Sequence, residues 1–109
     1  VGFSQGGAVV MAAALAAPVA VGGVLMLSTF LASPPPAAPR KLPIHFFHGE
    51  ADPVVPMGWA QRSRASLEAA GLPSSFESYP GMQHGSCEAE LQDIAEVLSG
   101  LLGGGAAPE

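Results

Sequence analysis

Gly2-Phe3-Ser4-Gln5-Gly6 matches G-x-S-x-G, the turn that carries a nucleophilic serine from the end of a β-strand into the start of a helix. Backbone strain at such a serine, and the close approach of strand and helix, ask for small residues two positions before and after it. Gly2 and Gly6 meet that demand, and Gly7 adds slack. Glycine-rich turns also precede apolar helices for packing alone, so the motif makes catalysis a hypothesis that the rest of the chain must support. Only Val1 precedes the turn, so most of the strand that delivers it is expected upstream.

From Gln5 to Ala17 the run of Ala, Val, Met and Leu is apolar all round, which predicts a helix buried on most sides and ended by Pro18. A buried strand is expected near Gly23 to Leu27, with Ser28 to Leu31 as its exit loop. Ser33 to Pro43 carries too many prolines to join a sheet or helix and reads as a surface excursion of polyproline character. Ile44 to His48 is the next strand, followed by a turn-rich loop from Gly49 to Pro56. Trp59, Ser63, Leu67 and Ala70 share a helical face, with Trp59 in the core and Gly71 and Pro73 as the stop. Ser74 to Tyr79 is a third strand, and Pro80 to Gly85 a loop. Cys87, Leu91, Ile94, Ala95, Leu98 and Leu101 trace the apolar stripe of a last helix, with Ser86 as its N-cap, Cys87 a buried structural thiol, and Glu88 and Glu90 at its positive end. Strands alternating with helices favour an α/β fold with a parallel sheet covered on both faces. Residues 1–102 form the folded segment and 103–109 a flexible tail.

At 109 residues the chain is one domain in size but short for a complete α/β enzyme of this kind. Hydrophobic residues make up 49% and charged ones 12%, so it is not a disordered chain, and much of its surface is expected to meet other protein. A missing N-terminal half or a second copy would supply that protein. A net charge of −5 with four cations, Arg40, Lys41, Arg62 and Arg64, leaves no basic stripe for nucleic acid. One cysteine gives neither a disulfide framework nor a thiolate cluster for zinc. No metal or cofactor is expected, and the cytoplasm is the expected compartment. The apolar stretch from Ala8 to Leu31 is broken by Pro18, Gly22 and Gly23 and is not a membrane span.

A serine nucleophile needs a base within hydrogen-bond reach, oriented in turn by a carboxylate. His45 and His48 lie three apart on a strand, point to opposite faces and read as packed strand histidines. His84 sits on the loop between the last strand and the last helix, where its ring can return over Ser4, and is the expected base. Among acids, Asp52 is kept out of helix by Pro53, with Glu50 as its rival and a plain Asp-Pro turn as its structural role. The order Ser, Asp, His, each on a loop after a separate strand, is the one expected of α/β-hydrolases, and such loops at strand C-termini are where ligands bind.

Gly2 to Ala8, Leu27-Ser28-Thr29-Phe30-Leu31, His48 to Pro56 and Tyr79 to Cys87, four blocks in order, resemble the acyl-protein thioesterase and lysophospholipase branch of the carboxylesterases. The resemblance implies the C-terminal part of an α/β-hydrolase with Ser4 as nucleophile, Asp52 as orienting acid and His84 as base. It implies an acyl-serine intermediate and acylated proteins, lysophospholipids or small esters as substrates. The Gln5 backbone N–H is expected to donate to the oxyanion; Phe30, Leu31 and Met82 are candidates to line an acyl channel or to pack in the core; Gln83 is a candidate donor in the site or a solvent-facing residue. Phe30 stands where the family often has tryptophan, and Gly85 where serine is common. The alternative from another class is a truncated, catalytically silent fragment or partner-binding module.

Overall fold

Short β-branched and aromatic runs alternate with longer helical ones, and the chain follows that rhythm. The structure, a computed structural model, describes residues 1–16, 22–32, Pro35 and 42–102. Its elements are β1 (Gly2–Phe3), α1 (Gln5–Ala16), β2 (Val24–Leu27), β3 (Ile44–Gly49), α2 (Met57–Ala69), β4 (Ser74–Tyr79) and α3 (Glu88–Leu102). The strands form one sheet in the order β1-β2-β3-β4, every pair parallel. Phe3 pairs with Leu27, Leu27 with Phe47 and Phe47 with Glu77, so all four strands end along one edge.

Side chains alternate across the sheet, and the two faces build separate cores. Met26, Ile44 and Phe46 pack with Met11 and Ala14 of α1 and with Ala60 and Leu67 of α2. Leu25, Phe47 and Tyr79 pack with Ile94, Val97, Leu98 and Leu101 of α3 on the other face. The helices thus cover both sides of the parallel sheet, as expected. α2 closes as the sequence foretold: Gly71 takes φ 86°, its N–H donates to Glu68, and the Leu72 N–H donates to Leu67, a Schellman closure in which Leu72 and Leu67 meet in the core.

Several expectations need correction. α1 is buried on one face only, through Gly7, Ala8, Met11 and Ala14, while Val9 is 68% exposed. Apolar composition sets which helices can be buried all round, whereas coverage depends on the layers present, and only the side of α1 turned to the sheet and the core it shares with α2 is buried. On α2 the buried face is Ala60, Ser63 and Leu67, and Trp59 is 42% exposed rather than core, because one residue along a helix turns the side chain by about 100°. On α3 Leu91 is exposed, as is Ala95, and Glu90 is buried instead. The first helical bond there runs from the Leu91 N–H to the Cys87 carbonyl, which moves the cap from Ser86 to Cys87; Cys87 is only half-buried. The Pro18 stop, the tail at 103–109 and most of the proline-rich excursion lie outside the described residues, although Leu42 is buried in the core.

Candidate active site

Ser4 follows β1 at φ 56°, in the left-handed region. Its N–H donates to the Leu27 carbonyl at 2.9 Å, and its own carbonyl accepts the Gly7 N–H at 2.9 Å. The buried Thr29 hydroxyl donates to that carbonyl as well, so three bonds hold the strained turn. A β-carbon on Gly2 would stand 2.9 Å from the Gly7 nitrogen, and one on Gly7 would stand 2.6 Å from Thr29 Oγ1, whereas Gly6 faces open space. The small pair the turn requires is therefore Gly2 and Gly7, not Gly2 and Gly6.

The loops after β3 and β4 are tied to each other. Glu50 N–H donates to the Tyr79 carbonyl and Ala51 N–H to the Met82 carbonyl, both at 3.0 Å. Gly49 makes that approach possible, since a β-carbon there would collide with the Met82 carbonyl group. Asp52 and His84 are thereby brought together. Asp52 Oδ1 accepts the N–H groups of Val54 and Val55 at 2.9 Å each, so the acid also initiates the turn that Pro53 suggested. Its Oδ2 faces His84 Nδ1 at 2.8 Å, and His84 Nε2 faces Ser4 Oγ at 2.9 Å. Burial pushes the Asp52 carboxyl up, but the bonds from His84, Val55 and Val54 outweigh it and hold the group below its ordinary value. An ionised Asp52 assigns the Nδ1 proton to His84, which leaves Nε2 as the acceptor for the serine hydroxyl. Glu50, the rival acid, instead accepts the Ser78 hydroxyl at 2.9 Å.

The remaining candidates divide. Gln5 is the first residue of α1, where N–H groups have no intrahelical acceptor, and it lines a cleft of about 440 Å³ with Phe3, Ser4, Phe30, Val55 and Trp59. Phe30 lies edge-on to Trp59 with ring centroids 5.5 Å apart. Leu31 lines a second space beyond that pair. Met82 is buried in the α3-side core and Gln83 is exposed; neither lines these two spaces.

Three contributors escaped the sequence. Phe3 packs its ring against His84, centroids 4.9 Å apart. Thr29 braces the serine turn. His48, fully buried, donates from Nε2 to the Val55 carbonyl at 2.7 Å and stands 3.7 Å from Asp52 Oδ2, clasping the acid's turn from within. His45 is unrelated to the site: it bonds Ser75, and burial lowers its pKa. For His48, the signal available in the sequence was its place four residues ahead of Asp52 at the strand's end.

Residues 1–102 match the phospholipase/carboxylesterase family. Acyl-protein thioesterase 1 of Gibberella zeae is 36% identical over 105 residues, which span 89% of this chain and 45% of that protein. The crystal structure of SOBER1 from Arabidopsis thaliana superposes with a TM-score of 0.83 at 31% identity, covering 93% of this chain and 51% of the other. That of acyl-protein thioesterase 2 from Zea mays gives 0.82 at 27%, covering 94% and 55%. The chain spans about half the length of the relatives it matches.

Proposed function

The chain belongs to the phospholipase/carboxylesterase family, and on that premise we propose that it is the C-terminal part of an α/β-hydrolase that cleaves acyl thioesters or carboxylic esters. The observation that carries this reading is the continuous relay from Ser4 Oγ through His84 to Asp52, at 2.9 and 2.8 Å, built on a serine held at φ 56°.

In the proposed reaction Ser4 Oγ attacks the carbonyl carbon as its proton passes to His84 Nε2, and Asp52 stabilises the imidazolium. The tetrahedral intermediate expels the thiol or alcohol, which leaves with the proton from His84. Water then gives a proton to His84 and attacks the acyl-serine; the acid departs and Ser4 recovers its hydrogen. The Gln5 N–H would donate to the oxyanion, a contact worth about 3 kcal/mol in such sites. A second donor would come from a loop after an earlier strand.

Palmitoylated proteins, lysophospholipids and small esters are the substrates this reading entails, in the cytoplasm. The single cysteine suits that compartment, and among the described residues no helix is long and apolar enough to cross a membrane. Residues 1–102 would act as one catalytic segment. The exposed face of α1 around Val9 favours a second reading, a segment silent until further protein covers that face. Labelling with a fluorophosphonate separates the two: label in the chain that disappears in Ser4→Ala supports the hydrolase, and an unlabelled starting chain supports the silent segment.

A further inference from the structure

The space beyond the Phe30–Trp59 pair has a composition that the acyl-transfer machinery leaves unused. It measures about 330 Å³ and is lined by Phe30, Leu31, Trp59, Arg62, Ser63 and Ser66, among others. It shares Phe30 and Trp59 with the cleft over Ser4, so a ligand lying on the serine reaches it by passing those two rings. Among the described residues neither space is lined by an acid, although the chain carries nine carboxylates against four cations.

Among the described residues, no carboxylate pairs with the cation that faces this space. Arg64 pairs with Glu68 and lies over the Phe76 ring, whereas Arg62 has no carboxylate within 4.0 Å among the described residues. Its guanidinium folds back along α2 toward Gly58, with Nη1 3.6 Å from where a β-carbon on that glycine would be. This bends the charge toward the start of the helix, the end where Val55 and Trp59 border the serine cleft. Ser66 also lines the space, but one turn along the helix in the direction away from the folded guanidinium. Ser63 is already committed, donating to the Trp59 carbonyl and accepting the Leu31 N–H.

We propose that Arg62 forms an anion subsite for the hydrolase, taking a carboxylate or phosphate tethered to the scissile group by a short aliphatic stretch that lies against Phe30 and Trp59. A planar guanidinium fits such oxyanions through paired N–H donors, and the aromatic walls accept the methylenes. The inference rests on the hydrolase reading for the substrate's orientation. It leaves two sources for the anion, the far end of the acyl chain or the leaving group.

Trp59 is the only tryptophan and borders both spaces, so its fluorescence reports their occupancy without turnover. Hexanamide, adipamic acid and N-hexanoyl phosphoethanolamine are non-ester ligands that carry, in turn, no anion, one on the acyl side and one on the leaving-group side. At least one anionic ligand should bind about fivefold more tightly than hexanamide, with the preference weakening at high salt. The preference should vanish in Arg62→Gln and persist in Arg64→Gln. Which ligand shows it identifies the source of the anion. Equal affinities, a preference that survives Arg62→Gln, or no fluorescence response to any ligand would overturn the subsite. Turnover of p-nitrophenyl hexanoate is measured separately: an Arg62-dependent preference without turnover supports the subsite and sinks the hydrolase reading.

Discussion

Gly2 and Gly7 face each other across the serine turn so closely that a β-carbon on Gly2 would stand 2.5 Å from Gly7 Cα. Backbone on both sides leaves nothing flexible to yield. Gly2→Ala should therefore destabilise the fold by about 2–3 kcal/mol through overpacking. Gly6→Ala, which meets open space, should be neutral or stabilising by up to about 1 kcal/mol through helix propensity. Urea denaturation of the two variants checks the contrast, and equal effects would contradict it.

Asp52→Asn should keep the turn, because an amide oxygen can still accept the Val54 and Val55 N–H groups, but it no longer fixes the His84 tautomer. Ester turnover is expected to fall by about 10³- to 10⁴-fold. The carboxyl lies below its ordinary value of 3.8, so its stabilising contribution is complete above that pH and disappears as pH falls through its own lower value. Denaturation midpoints of Asp52→Asn should accordingly depend less on pH in the acid range.

His48 carries a different load, since removing its Nε2–H leaves the buried Val55 carbonyl without its donor. His48→Phe should cost about 1–3 kcal/mol and lower turnover through a loosened Asp52 turn. His48→Gln, with a side-chain N–H at similar reach, should recover part of both. Parallel denaturation and turnover measurements test this; a His48→Phe variant with unaltered turnover would show that the clasp does not position the acid.

Glu90 works against the fold at neutral pH. It is 1% exposed, its Oε2 has no hydrogen-bond partner, and burial raises its pKa from 4.5 to about 7. The folded state thus holds the proton more tightly than the unfolded chain, and stability falls as pH rises from about 4.5 to 7. Glu90→Gln should be more stable than the starting chain at pH values above 7, by about 1–3 kcal/mol, and nearly equal to it below the lower value. Thermal unfolding across that range would expose the opposite trend if Glu90 were paired.

The legible parts of this site are those fixed by strand order. Ser4, Asp52 and His84 could be found because each follows a strand on a parallel sheet, and parallel strands bring their C-terminal loops to one edge. Asp52 could be preferred over Glu50 but not separated from its turn-forming role, and its two oxygens face in both directions, Oδ1 to the turn and Oδ2 to His84. Phase around a helix was harder: Trp59 and Ala60 differ by a fraction of a turn, enough to exchange a core side chain for a cleft wall. Glu90 shows the same error in the other direction, because a carboxylate in a first turn is usually solvated. Met82 read equally as a channel wall or a core residue, and packing against α3 puts it in the core. Gly7 against Gly6 was decided by Thr29, which lies 22 or more residues away and which no local pattern could supply.

The bond from Ala51 to the Met82 carbonyl divides the site into two parts that are held separately. Asp52 and His84 belong to neighbouring strands stitched along six residue pairs, so the acid and base form a clasp that closes on itself. Ser4 reaches that clasp from the loop after β1, which is separated from β3 by β2. The ties between those two loops are not shared by the serine turn, which is held through Leu27, Gly7 and Thr29, so Ser4→Ala should leave the histidine–aspartate bond in place.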